Sequence, residues 1–167
     1  MLDAIDSKAM AALQQDGRAS WADLGTALGL SAPAAAERVR KLTEAGVVRG
    51  FTAVLDPQAT GFPVLAFVAV TLAAQGARTR FLDAVRRHDL IQECHHVAGD
   101  DDFLLKVRAR SLTELEGLLA DELKGRLGIA RTRTTIVLGT AKETARLPIG
   151  PPAAARTARP RAARRRR

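Results

Sequence analysis

The chain has 167 residues, 47% of them hydrophobic, enough for one ordinary domain or two small ones, and it holds no apolar run near the ~20 residues that span a bilayer. Its single cysteine, Cys94, excludes an internal disulfide and a cysteine-based zinc site within one chain, and the opening Met1-Leu2-Asp3-Ala4-Ile5-Asp6 lacks a secretory pattern, so a cytoplasmic protein is expected. The formal charge is +8, but seven arginines and no acid fall in residues 151–167, leaving +1 for residues 1–150, so any DNA-binding role must rest on a local patch and not on bulk charge.

In chain order, Leu2, Ile5, Ala9 and Ala12 recur at helical spacing with Leu13 alongside, predicting a first helix over Leu2–Gln15 that stops before Gly17. Ser20 is an N-cap with Asp23 three residues on, and Trp21, Leu24 and Leu28 share one face of a short second helix ended by Gly29. Ser31 caps a third helix with Pro33 in its first turn, and Ala35, Val39 and Leu42 carry its stripe towards Gly46. The turn Gly29-Leu30-Ser31 between two amphipathic helices is the layout of a helix-turn-helix. The run Val47–Leu55, broken by Gly50 and closed by Asp56-Pro57, reads as a short hairpin or linker strand.

Val64–Leu72 is almost wholly apolar and predicts a central strand, followed by a helix over Arg78–His88. Ile91–Ala98 and Phe103–Ala109 read as strands of a hairpin joined through Gly99-Asp100-Asp101-Asp102. Ser111 caps a helix whose leucines run to Gly125, and Ile129–Leu138 closes the series as a strand. The order βαββαβ is that of the ferredoxin-like fold, which predicts an α+β sandwich with both helices on one sheet face and the other face bare for a partner. Beyond Leu147 the chain turns to Pro, Ala and Arg without an apolar stripe, so residues 148–167 are expected to be a disordered tail that adds nonspecific phosphate contacts or serves no role.

Residues 1–60 hold six cations and seven acids, and the cations Arg38, Arg40, Lys41 and Arg49 gather in the third helix and just after it. They form either a solvated helix face or a phosphate-holding edge that sets Ser31, Ala32, Ala34 and Ala35 near base edges in the major groove. Alanine reads no base by a bidentate bond, so shape, Arg38 and bent DNA would carry part of any specificity. Asp100, Asp101 and Asp102 invite a divalent metal, but a hairpin turn whose aspartates bond the local backbone is the plainer reading, and neighbours such as His95 and His96 point to opposite sides of a strand. No metal site is assigned.

The runs GRASWADLGTALGLS, ERVRKLTEAGVVRGFTAVLDP, IQECHHVAGDDDFLLKV and TRTTIVL, in this order, resemble the leucine-responsive and asparagine-regulator (Lrp/AsnC) transcription factors over about residues 2–147. The resemblance implies a winged helix-turn-helix over residues 1–50, a linker strand over 51–62, and over 63–147 a ferredoxin-like domain that binds an amino acid or related metabolite and assembles into dimers and octamers. It further implies that Ala98, Gly99, Asp100 and Asp102 line an effector pocket at the dimer interface, holding an ammonium group by carboxylate, with Ala98 standing where many relatives have a hydroxyl. Thr132 and Thr134 join that pocket from a neighbouring subunit, or are simply good strand residues. Arg131 and Arg133 suit a ligand carboxylate, but exposed strand arginines are common, and they stay outside the expected site. No cofactor is expected. Two rival readings are a haem-pathway decarboxylase-like enzyme on the same two-domain plan, disfavoured by three histidines and no tyrosine, and a sensor without DNA binding.

Overall fold

A computed structural model describes residues 2–74, 76–124, 127 and 129–149, so the Arg-rich tail expected to be disordered lies outside the described residues. The chain divides into two compact units. One is Val54–Glu143, and the other joins the residues before it to the segment returning from Thr144.

In the first unit α1 spans Ala4–Gln15, two residues later than the apolar stripe suggests. The start is set by hydrogen bonds: the Asp6 N–H donates to the Asp3 carboxylate at 2.7 Å and the Asp3 N–H to that of Asp6 at 2.9 Å, a reciprocal capping box that leaves Leu2 outside. Helix α2, Trp21–Leu28, is capped by Ser20 and ended by Gly29 in the left-handed region at φ +68°. Helix α3, Ala32–Glu44, is capped by Ser31 with Pro33 in its first turn. Ala9, Met10, Leu24, Leu28, Ala35, Val39 and Leu42 form the core of this unit. Gly25 makes the turn tight, because a β-carbon there would stand 2.7 Å from the Leu30 carbonyl oxygen. The returning segment bonds to the end of α1, with the Leu147 N–H on the Gln14 side-chain oxygen at 2.6 Å and Arg146 on that of Gln15 at 2.9 Å.

The expected wing and linker strand are not formed. No strand occurs over residues 45–63, where the chain is extended and then turns between Asp56 and Phe62. An extended segment becomes a strand only with a ladder partner, and the chain lays none beside Phe51, Val54 and Leu55, so that Val54 is 97% exposed.

The second unit is one antiparallel sheet in the order β2-β3-β1-β4, formed by β1 (Val64–Leu72), β2 (Ile91–His96), β3 (Phe103–Ala109) and β4 (Ile129–Ile136). It is the expected ferredoxin-like arrangement. Helices α4, Ala77–Arg87, and α5, Leu112–Gly117, cover one face. Ala66, Val68 and Val70 of β1 pair across with Val107, Leu105 and Phe103 of β3 and pack with Phe81, Val85, Leu115 and Leu118 into the core. The last helix does not run on in one form to Gly125. It widens into a π-helical segment, Leu118–Lys124, which brings Leu118 and Leu123, five positions apart, to the same buried side.

The opposite sheet face is less bare than expected. The chain leaving β4 brings Glu143 over it, where the carboxylate accepts from Lys106 and, at 2.9 Å, from Arg108, and both cations become largely buried. Phe67 on the same face is 36% exposed.

Candidate functional site

The outward side of α3 is set by its core side. Ala35, Val39 and Leu42 face inward at helical spacing, which leaves Ala34, Glu37, Arg40, Lys41 and Glu44 outward. Ser31 and Ala34 are exposed and Ala32 is half-buried, so these three stand where the sequence reading needs them. Ala35 is a correction. It is fully buried between the helices, and a side chain with no exposed surface touches no base. The Ser31 hydroxyl accepts the Ala34 N–H at 3.4 Å and keeps its own proton to donate.

The basic cluster is largely committed within the protein. Arg38 reaches Asp3 at 2.6 Å and Asp6 at 3.0 Å on α1. Arg40 grips Glu37 at 2.6 Å and pairs with Glu44, while Lys41 lies 3.6 Å from Glu37. The Asp6 N–H and Arg38 hold the Asp3 carboxyl below its ordinary range, and Arg40 does the same to Glu37. Arg49 is exposed and has no carboxylate partner among the described residues. Arg18 is likewise exposed and lacks a carboxylate partner among the described residues, just before α2, whose N-terminus favours an anion. Sequence reasoning passed it over because it stands alone between Gly17 and the Ser20 cap.

In the second unit the β2–β3 hairpin closes with the Val97 N–H on the Asp102 carbonyl at 3.0 Å. Gly99 at φ +148° takes a backbone form that side chains rarely adopt, and Ala98, Gly99 and Asp100 are exposed. The three aspartates have separate duties. Asp102 accepts the Leu72 N–H at 2.8 Å, fastening the hairpin to β1. Asp101, only 8% exposed, accepts from Thr71 at 3.1 Å, Arg131 at 3.2 Å and Arg133 at 2.7 Å. Asp100 alone turns a carboxylate with no partner among the described residues towards solvent.

Thus the structure gathers Arg131 and Arg133, which stand outside the expected site, around Asp101 of the expected loop. Thr132 and Thr134 pair across from Val70 and Val68 and share their helix-covered face, whereas Arg131 and Arg133 reach Asp101 from the other side. Within one chain the two threonines therefore do not line the exposed side of the loop. His95 meets Glu93 at 3.0 Å, while His96 lies 3.4 Å from Arg78, so the adjacent histidines serve opposite faces. Cavities of about 700 and 310 Å³ lie away from the loop, around His88, whose ring is 3.0 Å from Glu122.

Residues 2–43 match the AsnC-type helix-turn-helix domain and residues 65–147 the Lrp/AsnC ligand binding domain. An HTH-type transcriptional regulator of Pyrococcus horikoshii is 39% identical over 149 residues, covering 89% of this chain and 97% of the relative. The leucine-responsive regulatory protein of Escherichia coli K12 is 39% identical over 150 residues, covering 89% and 92%. Among solved structures, a Neisseria meningitidis transcriptional regulator in complex with L-Met aligns with a TM-score of 0.84 at 29% identity, covering 89% of this chain and 97% of that one. Escherichia coli AsnC aligns at 0.80 with 25% identity, covering 86% and 97%.

Proposed function

This chain belongs to the Lrp/AsnC family of transcriptional regulators, and from that premise we propose that it binds specific DNA sequences and changes its assembly or DNA affinity when an amino acid or related small metabolite occupies the loop at residues 98–102. It is a regulator with a DNA-binding helix-turn-helix and a ligand-binding domain, not an enzyme.

The observation that carries the effector reading is the division of labour in the loop. Asp101 is held by Thr71, Arg131 and Arg133 and Asp102 by the Leu72 N–H, whereas Asp100 has no partner among the described residues and is left to pair with an ammonium group, and Gly99 allows the ligand close to the backbone. Ala98 and Gly99 contribute main chain, Asp102 holds the hairpin in place, and Thr132 and Thr134 reach an effector only as residues of a neighbouring subunit. The complex of a relative with L-Met agrees with an amino-acid ligand. On DNA, Ser31, Ala32 and Ala34 would meet base edges, Arg49 would meet phosphate directly, and Arg40 and Lys41 would do so after exchanging their carboxylate partners. Assembly as a dimer, and onward to an octamer, would use the exposed Phe67 face and the unladdered stretch around Val54. A cytoplasmic location fits these partners.

A thermal-shift screen of the twenty amino acids tests the reading, because a ligand at 100 times its Kd stabilises by ~2.7 kcal/mol. We expect at least one to raise the melting temperature of the wild type and to alter affinity for a duplex selected from a random pool. If none does either, the effector assignment fails while DNA binding stands.

A further inference from the structure

Of the cations on α3, only Arg38 pairs outside its own helix among the described residues. Asp6 is 7% exposed, and a carboxylate in so dry a place needs partners. The capping box occupies one oxygen of each aspartate: Asp3 Oδ1 takes the Asp6 N–H and Asp6 Oδ2 takes the Asp3 N–H. The two remaining oxygens, Asp3 Oδ2 and Asp6 Oδ1, both face one nitrogen, Arg38 Nη1, at 2.6 and 3.0 Å. All four carboxylate oxygens are thereby engaged, and one guanidinium ties the start of α1 to the middle of α3.

Ala9 and Met10 of α1 share one buried cluster with Ala35, Val39 and Leu42 of α3, an apolar contact that is non-directional and so tolerates a small rotation of α3 about its axis. A bridging charge pair at a single position does not permit it, which is how a polar contact confers register. We propose that Arg38 is a positioning residue that sets the rotation of α3 against α1, and so decides which side chains meet the base edges, and that it is not a ligand of the DNA phosphates. The inference rests on the DNA-binding role of the helix-turn-helix and is independent of the effector.

The two roles predict opposite signs. If Arg38 held phosphate, Asp3→Asn with Asp6→Asn would free it and remove two anions, so DNA would bind more tightly. If Arg38 positions α3, the same change releases the helix and specific binding falls. Asparagine caps a helix about as well as aspartate, so the substitution spares the α1 start. The probes are a duplex selected from a random pool by the wild type, and poly(dI-dC), read by fluorescence anisotropy against salt, with circular dichroism confirming helix content.

We expect Arg38→Gln and the Asp3→Asn/Asp6→Asn pair each to weaken the selected duplex at least ~10-fold, a small part of the usual 10³–10⁷ specific excess. In Arg38→Gln affinity for poly(dI-dC) should stay within about 2-fold and the salt slope should not change, and on the selected duplex all three substitutions together should be no worse than Arg38→Gln alone. Tighter binding by the aspartate variant, a slope reduced by about 0.9 in Arg38→Gln, or no effect of either variant on the selected duplex would overturn the proposal.

Discussion

Replacing Gly25 by alanine sets two effects of opposite sign against each other within the helix-turn-helix. Gly25 sits inside α2, where alanine is preferred by ~0.8–1.0 kcal/mol, and its φ is not positive, so propensity alone predicts a stabilised protein. The added β-carbon, however, would lie 2.7 Å from the Leu30 oxygen and 3.2 Å from the Ala32 nitrogen. Both are backbone atoms, and the Leu30 N–H is itself held by the Gly25 carbonyl at 2.8 Å, so no flexible side chain can yield. Overpacking of this kind costs about 1–3 kcal/mol, which offsets or outweighs the propensity gain and leaves a net loss of up to ~2 kcal/mol. For a unit of this size each kcal/mol lowers Tm by about 4–8 °C. Trp21 is the chain's one tryptophan and stands at the start of the same helix, so its fluorescence in a thermal or urea titration reports this unit directly. Affinity for the selected duplex should fall with stability, because the strained turn also sets the angle of α3. A Gly25→Ala protein with a raised melting midpoint and unchanged DNA affinity would show that the close approach carries no weight. Gly117→Ala is the control: nothing lies within 4 Å of its would-be β-carbon, so propensity should act unopposed.

Asp100→Ala and Asp101→Ala should differ although the residues are adjacent. The first leaves thermal stability unchanged and abolishes the amino-acid shift, whereas the second leaves Arg131 and Arg133 without their shared anion and lowers the melting temperature of the ligand-free protein. If both behave alike, the division of labour in the loop is wrong. Lys106 and then Arg108 hold Glu143 below the ordinary carboxylate range. Its stabilising contribution is therefore present above the unfolded value, ~4.3, and is lost as pH falls through the lower folded value. Glu143→Gln should melt below the wild type at pH 7, with the gap closing as pH falls below the unfolded value, and a gap constant with pH in calorimetry would contradict this. Removing residues 151–167, which carry seven arginines, should weaken nonspecific DNA binding and flatten its salt slope without altering the preferred site; a changed site in a selection from random duplexes would show a reading role for the tail.

Local signals in the chain located the elements well. Ser20 and Ser31 marked the starts of α2 and α3 because a cap is a bond between a side chain and a backbone N–H three residues on, and such a bond is written in neighbouring letters. The apolar run Val64–Leu72 became β1 at the expected bounds, with Val68 and Val70 in the core and Phe67 on the more open face. The same reasoning began α1 too early, since it followed the stripe from Leu2 and did not see that Asp3 and Asp6 cap each other. It also named a strand after Val47, where the apolar residues are present but a ladder partner is not.

What the sequence determined by itself was therefore the inventory: a three-helix DNA-binding unit, a βαββαβ unit, and the loop at residues 98–102, together with the family they belong to. What the tertiary structure alone decided was which polar groups are already occupied. Arg38 reads in the sequence as one of four free cations, and the fold gives it to aspartates 32 and 35 positions away. Ala35 reads as a groove-facing residue, and the packing of α1 and α2 buries it. Arg131 and Arg133 read as solvent-exposed and are so, but the hairpin also brings Asp101 to them across 30 and 32 positions. Periodicity and caps act over one or two helical turns, whereas the partner of a charge is set by which distant segments the core draws together. The outline of the protein was accordingly legible in the sequence, but which of the loop's aspartates stays unpartnered among the described residues was not.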